Sequence, residues 1–206
     1  MVKLEVTNLQ QLPPADSVLS KREQAFFQTL KLPKRKTEWL GGRLALKKAI
    51  SAVIGVSLKE TEVLSHEGSG KPSLFIRGKK SLLPFSITHS NGFAVAAVAP
   101  EDKYIGIDLE KIAPRINAWK TDFFHDTELT ADSDEFLTAL WTQKEAVVKL
   151  LGTGLAINSY DVRCVQGSVQ FFNRALDIYQ SLGSPQISLQ TSALISGFQF
   201  SVAIGR

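Results

Sequence analysis

Apolar and polar positions alternate over Val2, Leu4 and Val6, predicting a first strand with those three on its inner face. Ser20-Lys21-Arg22-Glu23 has the spacing of a capping box and opens a helix that turns Phe26, Phe27 and Leu30 inward. Leu32-Pro33 stops it. The basic run Lys34-Arg35-Lys36 leads into a second helix through Trp39, Leu40, Leu44, Ala49 and Val53, ending near Gly55. Arg43 and Lys47 stand four apart on that helix. A charged stripe of this kind usually marks the wet face, although Arg43 is also a candidate for function.

A strand is expected around Val63 and Leu64, followed by the loop His66-Glu67-Gly68-Ser69-Gly70-Lys71-Pro72. Its two glycines, lysine and proline suit a backbone-exposed turn able to offer N–H groups to an anion, or a plain hairpin turn. It is not a P-loop, because Pro72 follows Lys71 where a Ser or Thr is required. Phe85 to Ser90 and Phe93 to Ala99 read as two strands joined by Asn91-Gly92, a strong hairpin signal. That places His89 at a strand end, where an imidazole can donate to a phosphate oxygen or serve structure alone.

Ile105, Ile107 and Leu109 alternate with Gly106, Asp108 and Glu110, so a strand here projects two carboxylates to one side. A short helix over Asn117 to Phe124 and a turn at Asp126-Thr127-Glu128-Leu129 follow. Ser133 then caps a long helix carrying Phe136, Leu137, Leu140, Trp141, Val148 and Leu151, closed by Gly152-Thr153-Gly154. The tail is mostly strand: Asp161 to Val165, Val169 to Phe172, Ile187 to Gln190, and a last strand with Phe198, Phe200, Val202 and Ile204 on one face. Ala175 to Leu182 is a short helix or an irregular connection. Segregated helices and hairpins favour an α+β fold.

Glu145 and Lys149 lie four apart on one face of the long helix. If that helix packs across the Asp108 strand, three carboxylates converge beside a lysine. Such like charges raise one pKa sharply unless a hard cation such as Mg²⁺ neutralises them, and Mg²⁺ keeps positions open for a phosphate. Taken singly, each half has a plainer account: Asp-x-Glu as a solvated turn, Glu…Lys as a surface ion pair.

The 206 residues suffice for one large domain or two small ones, and 44% hydrophobic with 21% charged residues is ordinary for a globular chain. The net charge of +4 admits an acidic or phosphate-rich partner without demanding nucleic acid. Cys164 is the only cysteine, which excludes an internal disulfide. No apolar run approaches the ~20 residues of a membrane span. A cytoplasmic protein is expected, with no membrane partner.

Together these residues resemble the 4′-phosphopantetheinyl transferase superfamily, in its surfactin-synthetase-activating type. The resemblance rests on Gly41-Gly42-Arg43, Gly70-Lys71-Pro72, Ser86-Ile87-Thr88-His89-Ser90, Gly106-Ile107-Asp108-Leu109-Glu110, Phe123-Phe124 to Glu128, and Trp141-Thr142-Gln143-Lys144-Glu145-Ala146 to Lys149, Gly152, Gly154 and Leu155. It implies two similar α+β halves, 1–104 and 105–206, related by pseudo-twofold symmetry with the active site in the cleft between them. It implies an Mg²⁺-dependent monomer that moves the phosphopantetheine arm of coenzyme A onto a serine of an acyl or peptidyl carrier protein, releasing adenosine 3′,5′-bisphosphate. It further implies that Asp108, Glu110 and Glu145 hold Mg²⁺ and that Lys149 contacts the pyrophosphate. Arg43 and His89 match residues contacting the nucleotide 3′-phosphate. Lys71 and Thr88 match others around the nucleotide and phosphates, and Lys36 stands where the type usually has Arg.

The carrier serine must lose its proton, and either Glu145 or a water on the ion could accept it; the sequence leaves both open. Two rival readings exist. One is a catalytically silent relative that binds coenzyme A or a carrier protein, which would have no need of the acidic triad. The other is a nucleic-acid-binding protein using Lys34-Arg35-Lys36 and Lys47-Lys48, without any aromatic β platform to support it.

Overall fold

The structure is a computed structural model that describes residues 1–64, 72–152 and 157–206. The fold is α+β, and the chain divides into two units, Met1–Glu101 and Asp102–Arg206.

In the first unit, β1 (Lys3–Asn8) leads through a single turn of helix, α1 (Ala15–Val18), into α2 (Lys21–Thr29). The capping box expected at Ser20 is present: its hydroxyl accepts from Glu23 N, and the Glu23 carboxylate accepts from Ser20 N. Pro33 then occupies the first turn of α3 (Pro33–Ile54), where its missing N–H is no loss. Lys34, Arg35 and Lys36 lie inside that helix rather than leading into it. Two small antiparallel sheets complete the unit. One has the order β2 (Thr61–Leu64), β3 (Ser73–Ile76), β4 (Lys79–Ser81); the other places β6 (Phe93–Val98) between β1 and β5 (Phe85–Ser90). Asn91 and Gly92, with φ of 41° and 91°, make the tight β5–β6 turn that only such residues adopt cheaply.

Helix α3 covers the β1–β6–β5 sheet with Ala45, Leu46, Ala49 and Ile50. A Cβ on Gly42 would come 2.9 Å from Ile87, so the glycine lets the helix settle on β5. The face assignment expected for β1 is corrected: Val6 is 39% exposed while Thr7 is buried. Residues Leu40 and Leu44 turn instead toward Val18 and Leu19.

The second unit opens with β7 (Tyr104–Lys111), then α4 (Asn117–Phe123) and α5 (Asp134–Leu151). Ser133 caps α5 by accepting from Phe136 N. The hairpin β8 (Val162–Val165) and β9 (Ser168–Phe171) precedes α6 (Asn173–Ser181), β10 (Ile187–Ser192) and β11 (Phe198–Gly205). Its antiparallel sheet has the order β10–β11–β7, with Ser201 opposite Asp108 and Ala203 opposite Gly106.

The small residues of that sheet receive α5. The Thr142 hydroxyl meets Ser201 Oγ at 2.8 Å, and a Cβ on Gly106 would lie 1.9 Å from Ala146 O. Phe198 and Phe200 are buried as expected, but Ser201 and Ala203 on the other face are buried too. Among the described residues no helix is long and apolar enough to cross a membrane.

Candidate active site

Gly106, Asp108 and Glu110 share one face of β7, and the close approach at Gly106 brings α5 down on that face. Lys149 Nζ donates to Asp108 Oδ1 at 2.7 Å, with the Asp108 side chain 6% and the Lys149 side chain 28% exposed. The Glu145 carboxyl is pushed above its ordinary pKa. Burial is the largest cause, repulsion from Asp108 comes next, and Glu110 adds to it, while Lys149 pulls the other way. Glu145 on α5 therefore lies within electrostatic reach of Asp108 and Glu110 on β7 and of Lys149 on its own helix. Among the described residues, however, no three carboxylate, imidazole or thiolate groups are gathered closely enough to form a ready-made metal site.

The remaining expected residues lie in the first unit or outside the described residues. Lys36, Arg43 and Lys47 fall on one stripe of α3 (positions i, i+7, i+11). The stripe is not a wet face: Arg43 is 8% exposed and Lys47 is 0%. Lys36 Nζ stands 5.3 Å from the centre of the Phe27 ring, and the Arg43 guanidinium lies 4.1 Å over Trp39. Burial brings the Arg43 pKa down to about 10, opposed by Glu23 and reinforced by Arg35. His89 Nδ1 is 3.9 Å from Glu38 Oε1 of α3. Thr88, its neighbour on β5, projects to the opposite face and is buried. Lys71 and the glycine loop before it lie outside the described residues, as does Gly154.

The sequence reading gave no individual role to Lys144 or Glu128, and both are buried. Lys144 Nζ donates to Glu128 Oε2 at 2.7 Å and to Phe123 O at 2.9 Å; Glu128 Oε1 accepts from Cys164 N at 2.9 Å. A signal existed: His125-x-x-Glu128 repeats the cap-to-third-residue spacing of Ser20-x-x-Glu23, and both glutamates reach back to the backbone N–H three residues earlier.

The sequence that builds this site is similar to that of known proteins. The model of the 4′-phosphopantetheinyl transferase superfamily matches residues 104–193, the span that carries Asp108, Glu110, Glu145 and Lys149. A holo-[acyl-carrier-protein] synthase of Geobacillus sp. (strain WCH70) is 36% identical over 92 residues, covering 42% of this chain and 76% of the relative. The 4′-phosphopantetheinyl transferase HetI of Nostoc sp. (strain PCC 7120) is 31% identical over 155 residues, 71% of this chain and 65% of the relative. A solved holo-(acyl-carrier-protein) synthase from Bacillus anthracis, in complex with CoA (3′,5′-ADP), is 29% identical with a TM-score of 0.41; the match covers 47% of this chain and 91% of that one. The chain belongs to the 4′-phosphopantetheinyl transferase superfamily and is an enzyme of that class.

Proposed function

We propose that the protein transfers the phosphopantetheine arm of coenzyme A to a serine of an acyl or peptidyl carrier protein, releasing adenosine 3′,5′-bisphosphate. The observation that carries this reading is the shared field of Asp108, Glu110, Glu145 and Lys149 across β7 and α5. Burial first, and repulsion from Asp108 and Glu110 after it, raise the Glu145 pKa, and a hard divalent cation would offset that repulsion. Asp108, Glu110 and Glu145 would hold Mg²⁺. The ion supplies charge neutralisation to the coenzyme A pyrophosphate.

The chain's own residues do the rest. Lys149 Nζ, released from Asp108, pairs with a pyrophosphate oxygen and opposes the charge that builds on the leaving phosphate. The carrier serine Oγ forms the new P–O bond as the pyrophosphate P–O bond breaks, the electron pair leaving with the adenosine bisphosphate. The serine proton passes to the Glu145 carboxylate or to water. Arg43 and His89 are assigned to the nucleotide 3′-phosphate; Lys36, Lys71 and Thr88 are assigned to the nucleotide and its other phosphates. The net charge of +4 suits an acidic carrier protein.

The test is to incubate the protein with coenzyme A, Mg²⁺ and an apo carrier protein, then weigh the carrier. One phosphopantetheine of added mass supports the reading; no gain across several carriers overturns it. Asp108→Ala should abolish transfer while leaving the melting transition cooperative. Normal transfer by that variant refutes the assignment of Asp108.

A further inference from the structure

The two units contain the same buried arrangement. In the second, Lys144 binds Glu128 and the carbonyl of Phe123, while Glu128 accepts from His125 N and Cys164 N. In the first, Lys47 binds Glu23 at 2.5 Å and the carbonyl of Val18 at 2.8 Å, while Glu23 accepts from Ser20 N and Val63 N, each at 2.9 Å. Every role matches. The carbonyl lies five residues before the glutamate in both units and the capping N–H three before it. The lysine comes from the long helix, and the last N–H from a hairpin strand.

The lysine stands on the side of its helix turned from the sheet. At 100° per residue, Lys144 is about 160° around α5 from Ala146, which lies against Gly106. Lys47 is about 140° around α3 from Gly42, which lies against Ile87. A helix seated on a sheet along one line can still roll about that line. The lysine lock holds it from the opposite side.

Lys144 precedes Glu145 on α5, and its ammonium is held by Glu128 and the Phe123 carbonyl. Lys144 therefore bears on Glu145 through geometry. With side-chain atoms about 6 Å from the axis, a 20° roll would carry a carboxylate about 2 Å.

We infer that the Lys144–Glu128 lock is a positioning pair for the transfer reaction: it fixes the roll of α5 that presents Glu145 and Lys149 to Asp108 and Glu110. This rests on the transferase reading above. The first unit supplies an internal control, because Lys47 is followed by the exposed Lys48 where Lys144 is followed by Glu145.

The experiment compares the parent with the charge-neutral double variants Lys144→Met/Glu128→Gln and Lys47→Met/Glu23→Gln. The glutamine keeps an acceptor for the strand N–H. Each protein is measured for melting, for kcat with an apo carrier, and for Mn²⁺ affinity by electron paramagnetic resonance without coenzyme A, so that the α3 residues assigned to the nucleotide do not enter the comparison. The second-unit variant should bind Mn²⁺ about tenfold more weakly and lose at least about tenfold in kcat. The first-unit variant should keep its Mn²⁺ affinity within about twofold, whatever its melting temperature. If the second-unit variant retains both quantities, or the first-unit variant loses Mn²⁺ affinity equally, the inference is wrong. Should the double variant not fold, Lys144→Arg, which keeps the charge but not the fit to Glu128 and the Phe123 carbonyl, carries the same expectation with a smaller shift. A parent that binds Mn²⁺ yet transfers nothing would defeat the transferase reading, while the Mn²⁺ comparison would still decide the positioning.

Discussion

Gly106→Ala adds one carbon where α5 and β7 are closest. The new Cβ would lie 1.9 Å from Ala146 O and 2.4 Å from Leu150 N, whereas real Cβ contacts do not fall below 3.0 Å. Both obstacles are backbone atoms of α5, so no side chain can swing aside. The helix must lift or slide by about 1 Å, against the jigsaw packing that makes cores respond to single methylenes. Overpacking of this kind costs about 1–3 kcal/mol, and a backbone obstacle argues for the upper end. For a chain of this size that is about a 10 °C fall in melting temperature. Glu145 precedes Ala146, so its carboxylate moves with the helix, and about 1 Å of misplacement can cost on the order of 100-fold in rate. Thermal melting by circular dichroism and initial rates of carrier modification read the two effects separately. A Gly106→Ala protein melting within about 2 °C of the parent, with unchanged kcat, would show that α5 does not rest on Gly106 as described.

Lys144→Met alone leaves the Glu128 carboxylate buried without its ammonium and should cost about 3–5 kcal/mol in urea unfolding, with Glu128→Gln added to it recovering much of the loss. An unchanged urea midpoint for the single variant would mean the pair contributes nothing. The Cys164 thiol is pushed up to about 12, by burial first and then by Glu128, so iodoacetamide at mildly alkaline pH should label only unfolded protein. Labelling of the native protein at the rate of a free thiol contradicts this. The raised Glu145 pKa predicts a falling stability as pH climbs from the ordinary carboxylate range to the folded-state value, because the unfolded chain releases its proton first. In the presence of a chelator, Glu145→Gln should lose that slope and melt higher than the parent at neutral pH; superimposable melting profiles would sink the assignment.

Much of the second unit could be read from pattern. Gly106, Asp108 and Glu110 alternate with three large apolar residues, and α5 covers the face those small and acidic residues define. Asn91-Gly92 and the caps at Ser20 and Ser133 were equally plain, since each is a local rule satisfied within a few residues. What escaped was long-range. The face of β1 was misjudged at Val6, where Thr7 on the other side is the buried residue; in β11 the expected face holds, but Ser201 and Ala203 opposite it are buried as well, so alternation there does not mark inside from outside. The buried lysines escaped for a different reason. A charged side chain is assigned to the surface by default, and nothing local to Lys47 announces that Glu23, 24 residues earlier, will meet it.

The repetition of the lock also separates scaffold from chemistry. Lys144 immediately precedes Glu145 on α5, and a buried ion pair in that position would ordinarily be suspected of catalysis. The first unit carries the same pair, hydrogen bond for hydrogen bond, with no carboxylate after its lysine. A group that recurs where the chemistry does not is explained by what the two places have in common, which is a long helix to be held on a small sheet. What distinguishes the second unit is therefore the side chains added around the held helix: Asp108 and Glu110 on β7, Glu145 and Lys149 on α5. Replacing those four should remove chemistry at little cost to the fold, whereas breaking either lock should disturb the fold, and only the lock of the second unit should reach the edge that carries Asp108, Glu110, Glu145 and Lys149.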